Sequence, residues 1–259
     1  MNVGDVGGNM KFVFDLDGTI CFKGKPLSVG IINALEACRQ SGHEVIFASA
    51  RPIRDLLPVL PETMREYSMV GGNGAFVACN GVTKEVTAFE TEIVGELVQI
   101  ITAFQIPYLV DSQWDYAYTG SEGHPIYQNL DPLKIAKKVA LQDLHDIVKI
   151  VLFPGENRDA VLFELQQLAV TLYEHASENI IDISPKGIDK WNGLTKLGVI
   201  EGEYIAFGND ANDASMFLKA KESVCVGNHQ VGEKATLQVP SEEAAIIEML
   251  SHLSDNISE

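Results

Sequence analysis

Short apolar runs alternate with longer segments of helical periodicity along most of this chain. Four of the runs have the length and composition of buried strands, and they cover residues 11–14, 45–48, 204–207 and 224–226. Between the first two, residues 31–40 carry apolar side chains on one helical face, and Gly42 ends the pattern. A strand, a helix and a second strand at this spacing predict βαβ units. We therefore expect an α/β fold with a parallel sheet and helices on both faces.

The middle of the chain has a different pattern. Here we predict helices over residues 90–104, 132–144 and 157–170, with strand-like runs at residues 108–110, 116–118 and 148–152. This order is typical of an α+β insert with an antiparallel sheet, and turn residues at 80–81 and 184–187 bound it. The sequence therefore predicts one domain made of residues 10–81 and 184–259, with a second domain, residues 82–183, inserted into it.

The two ends of the chain carry less information. Residues 1–9 contain three glycines and no hydrophobic period, so we expect a disordered leader. Residues 241–259 hold five acidic residues and no lysine or arginine, while their apolar residues recur at helical spacing. We expect a terminal helix with a solvated acidic face.

Composition limits the function classes. The 259-residue chain has a formal net charge of −17, and such a surface repels nucleic-acid backbones and anionic lipids, so we expect neither as a partner. No run reaches the roughly 18 apolar residues of a membrane span. Four widely spaced cysteines fit reduced thiols better than a disulfide framework. We expect a cytoplasmic protein, whose oligomeric state the sequence does not determine.

Polar side chains directly follow three of the predicted strands, where a parallel sheet binds its ligands. They are Asp15 and Asp17, then Ser49, then Asn209, Asp210, Asn212 and Asp213, and Lys190 opens a helix after residues 180–183. Carboxylates that converge at one place repel one another unless a cation lies between them, and Mg²⁺ prefers oxygen ligands. The hydroxyl, amide and ammonium groups suit a phosphate. This set predicts metal-assisted phosphoryl chemistry.

Residues 15–19 (DLDGT) resemble the nucleophile motif of the haloacid dehalogenase (HAD) superfamily, and Ser49, Lys190 and residues 208–213 (GNDAND) resemble its later motifs, in order. Residues 47–52, 72–75 and 185–190 are similar to segments of the Cof-type (subclass IIB) sugar-phosphate phosphatases. The interval from Gly18 to Ser49 is too short for a cap domain, whereas the interval from Ser49 to Lys190 is much longer than a crossover needs. The resemblance therefore implies a Rossmann-like core with a C2-type cap, and it covers residues 11 to about 250.

The resemblance also implies a role for each motif residue. Asp15 is expected to be the nucleophile that forms an aspartyl phosphate, Asp17 the general acid and base, and Lys190 the balancing charge. The expected phosphate-binding residues are Leu16 and Ala50, through their amides, with Ser49, Lys190 and Asn212. The expected Mg²⁺ site comprises Asp15, the backbone carbonyl of Asp17, Asn209 and Asp213, the last of these orienting either metal-bound water or Lys190.

Two positions depart from the family pattern. Asn209 stands where the family usually has an aspartate, and an amide oxygen binds Mg²⁺ without contributing charge. Either Asn209 is the direct ligand, or Asp210 or Asp213 replaces it. Ala50 stands in place of the usual glycine, which would narrow the phosphate-binding turn.

We expect a Mg²⁺-dependent phosphatase of small phosphorylated metabolites, with sugar phosphates favoured. The alternatives are a phosphotransferase, a sucrose- or trehalose-phosphate phosphatase, and a catalytically weak metabolite-binding protein; a receiver domain would need only half this length. Candidate substrate contacts in the insert are Asp111, Trp114, Tyr116, Tyr118 and His124, although a packed sheet face is the simpler interpretation. Asn73 is read first as a turn residue and Lys186 as a solvated neighbour of Lys190.

Overall fold

The computed structural model describes residues 9–175 and 179–257. Residues 1–8, which make up nearly all of the expected leader, lie outside the described residues. None of the described helices is long and apolar enough to cross a membrane.

The described chain contains thirteen strands and eight α-helices. The strands are β1 (Lys11–Phe14), β2 (Glu44–Ala48), β3 (Ser68–Gly71), β4 (Phe76–Cys79), β5 (Val82–Val86), β6 (Tyr108–Asp111), β7 (Tyr116–Tyr118), β8 (Lys149–Leu152), β9 (Val170–His175), β10 (Ile180–Pro185), β11 (Tyr204–Gly208), β12 (Glu222–Val226) and β13 (Leu237–Val239). The helices are α1 (Val29–Gln40), α2 (Ile53–Leu56), α3 (Thr91–Phe104), α4 (Pro125–Asn129), α5 (Arg158–Leu165), α6 (Lys190–Lys196), α7 (Ala214–Phe217) and α8 (Glu243–Ile257).

The larger of two sheets has eight strands in the order β13-β12-β11-β1-β2-β3-β4-β5. The strands from β13 to β3 are parallel, as the sequence predicts, and β4 and β5 add an antiparallel edge. Phe12 and Phe14 of β1 pack on the side of α1 and α8, and Val13 packs on the side of α6 and α7. All three side chains are fully buried because helices cover both faces of the sheet.

Strand β5 corrects the predicted start of the insert at residue 82. It pairs with β4 and so belongs to the large sheet. Residues Asn80 and Gly81 both have positive φ, of 54° and 71°, as a two-residue hairpin turn of type I′ requires. The turn signal therefore marks a hairpin and not the boundary of the insert, and the chain leaves the large sheet only after Val86.

The smaller sheet has five antiparallel strands in the order β7-β6-β8-β10-β9. Helices α3 and α5 cover one face, where Leu97, Ile101, Val161 and Leu165 pack against Val110, Ile150 and Ile183. The other face carries Leu109, Val151 and Ile180, which pack with Leu130 from the segment after α4. The predicted α+β insert is therefore present, with its own apolar core.

Two of the three helices predicted in the insert are wrong in whole or in part. Residues 132–144 hold only a 3₁₀ turn, Leu141–Asp143, because Asp131 and Lys134 have positive φ and the Asp131 carboxylate accepts the amide N–H groups of Ile135 and Ala136. The helix predicted over 157–170 ends at Leu165. After a turn over residues 166–169, the chain forms β9, an edge strand on β10, because the sequence VTLYEH suits a strand.

Candidate active site

The carboxyl ends of three adjacent strands bring the sequence-predicted residues together. Strand β1 lies between β2 and β11, and these strands are followed directly by Asp15, Ser49 and Asn209. The amide of Asp15 still donates to the carbonyl of Phe207, which fixes the position of Asp15 at the edge of the sheet.

Asp15, Lys190 and Asp213 form a buried chain of charges. Nζ of Lys190, at the start of α6, lies 2.6 Å from Oδ1 of Asp15 and 2.6 Å from Oδ1 of Asp213. Lys190 and Asp213 are fully buried, and Asp15 is nearly so. Lys186, the alternative lysine of the same loop, is exposed. The lysine that binds both aspartates is therefore Lys190, and not Lys186.

The buried position shifts the pKa values of both Asp15 and Lys190. Burial raises the pKa of Asp15 to about 7, against the lowering effect of Lys190 and with a smaller raising effect of Asp213. Burial alone would lower the pKa of Lys190, but the two carboxylates outweigh it and hold the pKa above its ordinary value. Lys190 is thus a permanent cation facing a carboxyl whose charge depends on its surroundings.

Asp213 organises the loop after β11. Its Oδ2 accepts the amide N–H groups of Asn209 and Asp210, and its Oδ1 accepts from Lys190. A Cβ on Gly208 would collide with this carboxylate, so the close approach requires glycine. Both oxygens of Asp213 are therefore engaged by protein donors, and the geometry ties this residue to Lys190 and to the loop.

Three oxygen atoms face one another between β1 and β11, and we call them the oxygen cluster: Oδ2 of Asp15, the carbonyl oxygen of Asp17 and Oδ1 of Asn209. The Thr19 hydroxyl lies 3.0 Å from both Oδ2 of Asp15 and Oδ1 of Asn209. If the Asn209 amide is turned round, its nitrogen lies 2.9 Å from the Asp17 carbonyl and 3.1 Å from Oδ2 of Asp15. When Oδ1 of Asn209 points into the oxygen cluster, three acceptor atoms face one another. Only a cation or a hydrogen-bond donor then compensates their mutual repulsion.

The spacing within the oxygen cluster fits a magnesium ion. Ligand oxygens at about 2.0–2.1 Å from Mg²⁺ in an octahedron lie about 2.9 Å from one another. The described residues contain no group of three or more His, Cys, Asp and Glu side chains that would hold a metal by themselves. A metal ion bound here would therefore depend on an amide oxygen and a backbone carbonyl in addition to one carboxylate.

The predicted phosphate-binding residues lie around the same point. Ser49 is buried, and its Oγ accepts the amide N–H of Arg51 at 3.1 Å. Asn212 is buried, and its Nδ2 donates to Oδ1 of Asn73. The side chain of Leu16 lies in the core, so only its backbone is available to a ligand. Ser49, Ala50 and Asn212 line one cavity together with Asp15 and Asp17.

Arg51 holds Asp17, a contact that the sequence analysis did not identify. Its Nε and Nη2 each lie 2.6 Å from one oxygen of the Asp17 carboxylate. The arginine is largely buried, whereas the side chain of Asp17 is 48% exposed. A bidentate pair of this kind is strong and geometrically specific, so it fixes the direction of the Asp17 carboxyl in this structure.

A cavity of about 600 Å³ separates these residues from the smaller sheet. Asp111, Lys149 and Asp182, on the adjacent strands β6, β8 and β10, line it beside Leu109, Val151 and Ile180. Asp111 was expected as a contact, but Trp114, Tyr116, Tyr118 and His124 do not line the cavity. Lys149 and Asp182 were missed, although a single charged residue inside an apolar strand was a usable signal.

Comparison with known proteins agrees with this geometry. A family model described as haloacid dehalogenase-like hydrolase matches residues 12–250. A 5-amino-6-(5-phospho-D-ribitylamino)uracil phosphatase of Bacillus subtilis is 24% identical, over 83% of this chain and 85% of that protein. A phosphoglycolate phosphatase of Nitrosopumilus maritimus is 25% identical, over 96% of this chain and 97% of that protein.

Comparison with solved structures shows a shared fold. The solved structure of a HAD subclass IIB sugar phosphatase superimposes with a TM-score of 0.81 at 18% identity, covering 96% of this chain and all of that one. The protein belongs to the haloacid dehalogenase-like hydrolases. The family, the fold class and the enzyme class predicted from the sequence, a hydrolase of phosphate monoesters, are thereby confirmed.

Proposed function

We propose that the protein is a Mg²⁺-dependent phosphatase that hydrolyses small phosphorylated metabolites, with sugar phosphates favoured, through an aspartyl-phosphate intermediate. The observation that carries this proposal is the position of Asp15. One of its oxygens is bound to Lys190, the other belongs to the oxygen cluster, and the residue lines the cavity. A nucleophile, a fixed cation and a set of metal ligands thus meet at one carboxylate.

The residues of the oxygen cluster would hold the magnesium ion. Asp15, the carbonyl of Asp17 and Asn209 supply three oxygens at suitable separations, which favours Asn209 over Asp210 or Asp213 as the direct contact from the last loop. When bound, Mg²⁺ supplies positive charge that holds a phosphate oxygen and offsets the negative charge gathered here.

The chain's own groups account for the first half of the reaction. Ser49, Asn212 and the amides of Leu16 and Ala50 would hold the phosphate oxygens, and Lys190 would hold the carboxylate of Asp15 in place. An oxygen of Asp15 attacks phosphorus, and the bond from phosphorus to the ester oxygen breaks. The leaving oxygen takes a proton from Asp17, and Asp15 now carries the phosphoryl group.

The second half releases the product. The Asp17 carboxylate takes a proton from a water molecule, whose oxygen attacks the phosphorus of the aspartyl phosphate. The bond from phosphorus to Asp15 breaks, which gives inorganic phosphate and restores the free carboxylate. Since Arg51 holds both oxygens of Asp17, this pair has to loosen before Asp17 receives or delivers a proton.

The smaller sheet would act as a cap over the site. We propose a core domain built on the eight-stranded sheet, from residue 10 to residue 86 and again after Pro185, with the residues between them as the cap. Lys149 donates to the carbonyl of Ala50, and Asn73 donates to Asp182, so the cap contacts the turns beside the phosphate site. Closure excludes water until Asp15 has attacked, and opening releases the product.

Phosphate release from an aryl phosphate tests the proposed mechanism. We expect activity that requires Mg²⁺ and is lost on addition of a chelator. Asp15→Asn should lower kcat by at least about 10³-fold, because the amide is not a nucleophile. Lys190 keeps its partner Asp213 in this variant, and a thermal unfolding curve confirms the fold.

Three results would count against the proposal or in favour of an alternative. An Asp15→Asn variant that retains its activity contradicts the aspartyl-phosphate mechanism. Tight binding of phosphorylated metabolites by the wild-type protein without turnover favours a metabolite-binding protein, and formation of a new phosphate ester with an added acceptor alcohol favours a phosphotransferase.

A further inference from the structure

Asp182 carries a buried carboxylate oxygen for which the described structure provides no hydrogen-bond partner. The residue lies in β10, is 3% exposed and lines the cavity. Its Oδ2 accepts from Nζ of Lys149 at 2.8 Å and from Nδ2 of Asn73 at 3.2 Å, whereas its Oδ1 accepts from none. A carboxylate oxygen in this position requires a donor, since an unsatisfied buried acceptor is costly.

The contacts of Oδ2 hold the Asp182 side chain beside the turns of the phosphate site. Lys149 also donates to the carbonyl of Ala50 at 2.7 Å, and Asn73 accepts from Asn212 at 3.0 Å. Asp182 is therefore connected by two short chains of hydrogen bonds to Ala50 and Asn212, which are the expected phosphate-binding residues. A group bound to Oδ1 would lie near the phosphorylated end of a substrate, and the acceptor is held before the substrate arrives.

The charge of this wall selects the kind of group that would bind. The cap side of the cavity presents two carboxylates, Asp111 and Asp182, and one ammonium, Lys149, whose charge Asp182 already balances. Asp55 adds a further carboxylate to the lining, and the buried Arg54 pairs with both Asp55 and Asp111. Three carboxylates are thus opposed by two cations, and the wall keeps a net negative charge. A leaving group with its own carboxylate or second phosphate would be repelled, whereas hydroxyl or N–H donors would be accepted.

The same wall also carries apolar residues, and the cavity is large enough for a ligand of several carbon atoms. Leu109, Val151 and Ile180 alternate with the charged residues on the cavity side of the sheet, so they offer a surface to the C–H groups of a carbon skeleton. A cavity of about 600 Å³ lies within the range of roughly 300–1,000 Å³ that ligand sites occupy. It exceeds what a two-carbon ester would fill.

We propose that Oδ1 of Asp182 accepts a hydrogen bond from a hydroxyl or N–H group close to the phosphorylated end of the leaving group, and that it directs the enzyme toward uncharged, hydroxylated phosphate esters. This inference rests on the proposed phosphatase function. Asp182 is a specificity-determining residue of that reaction, and phosphate esters with a second anionic group are the class it disfavours.

The test compares two substrates on two proteins. The substrates are sorbitol 6-phosphate and its 5-deoxy analogue, which lacks the hydroxyl next to the phosphorylated carbon. Asp182→Asn keeps the shape of the side chain. Its amide oxygen takes the place of Oδ2, and its amide N–H₂, which is a donor, takes the place of the acceptor Oδ1. Asp159→Asn, the same change on the exposed outer helix α5, is the matched control.

We expect the wild-type protein and Asp159→Asn to prefer the hydroxylated ester in kcat/KM by about 10–100-fold, as for a hydrogen bond to a charged acceptor. Asp182→Asn should reduce this preference to about 3-fold or less, and it should raise the relative kcat/KM for 6-phosphogluconate, which carries a second anion. Thermal unfolding of each variant confirms that it is folded.

The outcomes separate the two proposals. If wild-type protein with Mg²⁺ hydrolyses none of these esters nor an aryl phosphate, the proposed function fails. If it hydrolyses them but shows no preference for the hydroxylated ester, or if Asp182→Asn keeps the preference, the phosphatase stands and the role of Asp182 is overturned.

Discussion

Asn209 occupies the position at which the metal site differs most from a cluster of carboxylates. Its amide lies against Oδ2 of Asp15 and the carbonyl of Asp17, so in the proposed metal site it would contribute a ligand atom without a charge. The affinity for a hard divalent cation depends on the number of charged ligands as well as on geometry. We therefore expect the wild-type protein to bind Mg²⁺ weakly and to need a high Mg²⁺ concentration for activity.

Replacement of this amide by a carboxylate should strengthen the metal site. In Asn209→Asp, the Mg²⁺ concentration that gives half-maximal phosphate release should fall on the order of tenfold, since the side chain keeps its shape and gains a negative charge. A magnesium titration of activity measures the change, and Lys186→Met, an exposed residue of the Lys190 loop, is the control. An unchanged Mg²⁺ requirement in Asn209→Asp would show that residue 209 is not a ligand.

Three other residues show how far single positions can be interpreted from sequence. Asp15 and Lys190 were placed in one site by the order of motifs, and they meet at 2.6 Å. Arg51 was read only as part of a turn, and it holds Asp17 by two hydrogen bonds. Proximity in the sheet follows from strand order, but the direction of a long side chain does not.

A single hairpin turn determines where along the chain the insert begins. The turn at Asn80 and Gly81 folds β5 back onto β4, so the large sheet gains an antiparallel edge before the chain enters the cap. Gly81 has φ of 71°, and a Cβ there would have room, with its nearest neighbour at 3.6 Å. Backbone strain, and not crowding, therefore sets the cost of a side chain at this position.

Two glycine substitutions should have opposite effects on stability. Gly81→Ala should lower the free energy of unfolding by about 1 kcal/mol, because alanine is strained at this φ. Gly95→Ala, on the exposed side of helix α3 with nothing within 4 Å of the new Cβ, should raise it by about 0.5–1 kcal/mol. Urea unfolding measures both changes in the free energy of unfolding. A Gly81→Ala change that stabilises the protein, as Gly95→Ala should, would contradict the turn assignment.

The whole molecule is held together across the cavity by buried charges. Arg54, on α2 after β2, is almost fully buried and binds Asp55 at 2.7 Å and Asp111 of the smaller sheet at 2.9 Å. Its Nη1 donates to the carbonyl of Trp114, and Oδ1 of Asp55 accepts the amide of Asp131. This network connects the larger sheet's side of the cavity with the smaller sheet.

Removal of the central cation should be costly. Arg54→Met leaves Asp55 and Asp111 buried without their counter-ion, so the free energy of unfolding should fall by about 3–5 kcal/mol. The matched control is Lys219→Met, which breaks the exposed pair with Glu201 and should cost less than about 1 kcal/mol. Urea denaturation followed by circular dichroism compares them, and a loss below 1 kcal/mol in Arg54→Met would show that the network adds nothing.

The sequence by itself determined the α/β class, the family and the order of the motif residues. Each of these depends on local patterns: apolar runs, helical spacing, and polar residues placed directly after a strand. It also indicated an α+β insert, but the predicted start at residue 82 falls within β5 of the large sheet. The helix expected over 132–144 did not form, because the Asp131 carboxylate binds the backbone in place of helical hydrogen bonds.

Only the tertiary structure decided which side chains lie together on the wall of the cavity formed by the smaller sheet. Asp111, Lys149 and Asp182 are far apart in the chain and meet because β6, β8 and β10 are paired in a particular register. A shift of one residue would turn each of them to the opposite face of the sheet. Register depends on the packing of the whole insert. A charged residue inside an apolar strand is therefore a local signal, but it does not show which other side chains lie beside it on the wall of the cavity.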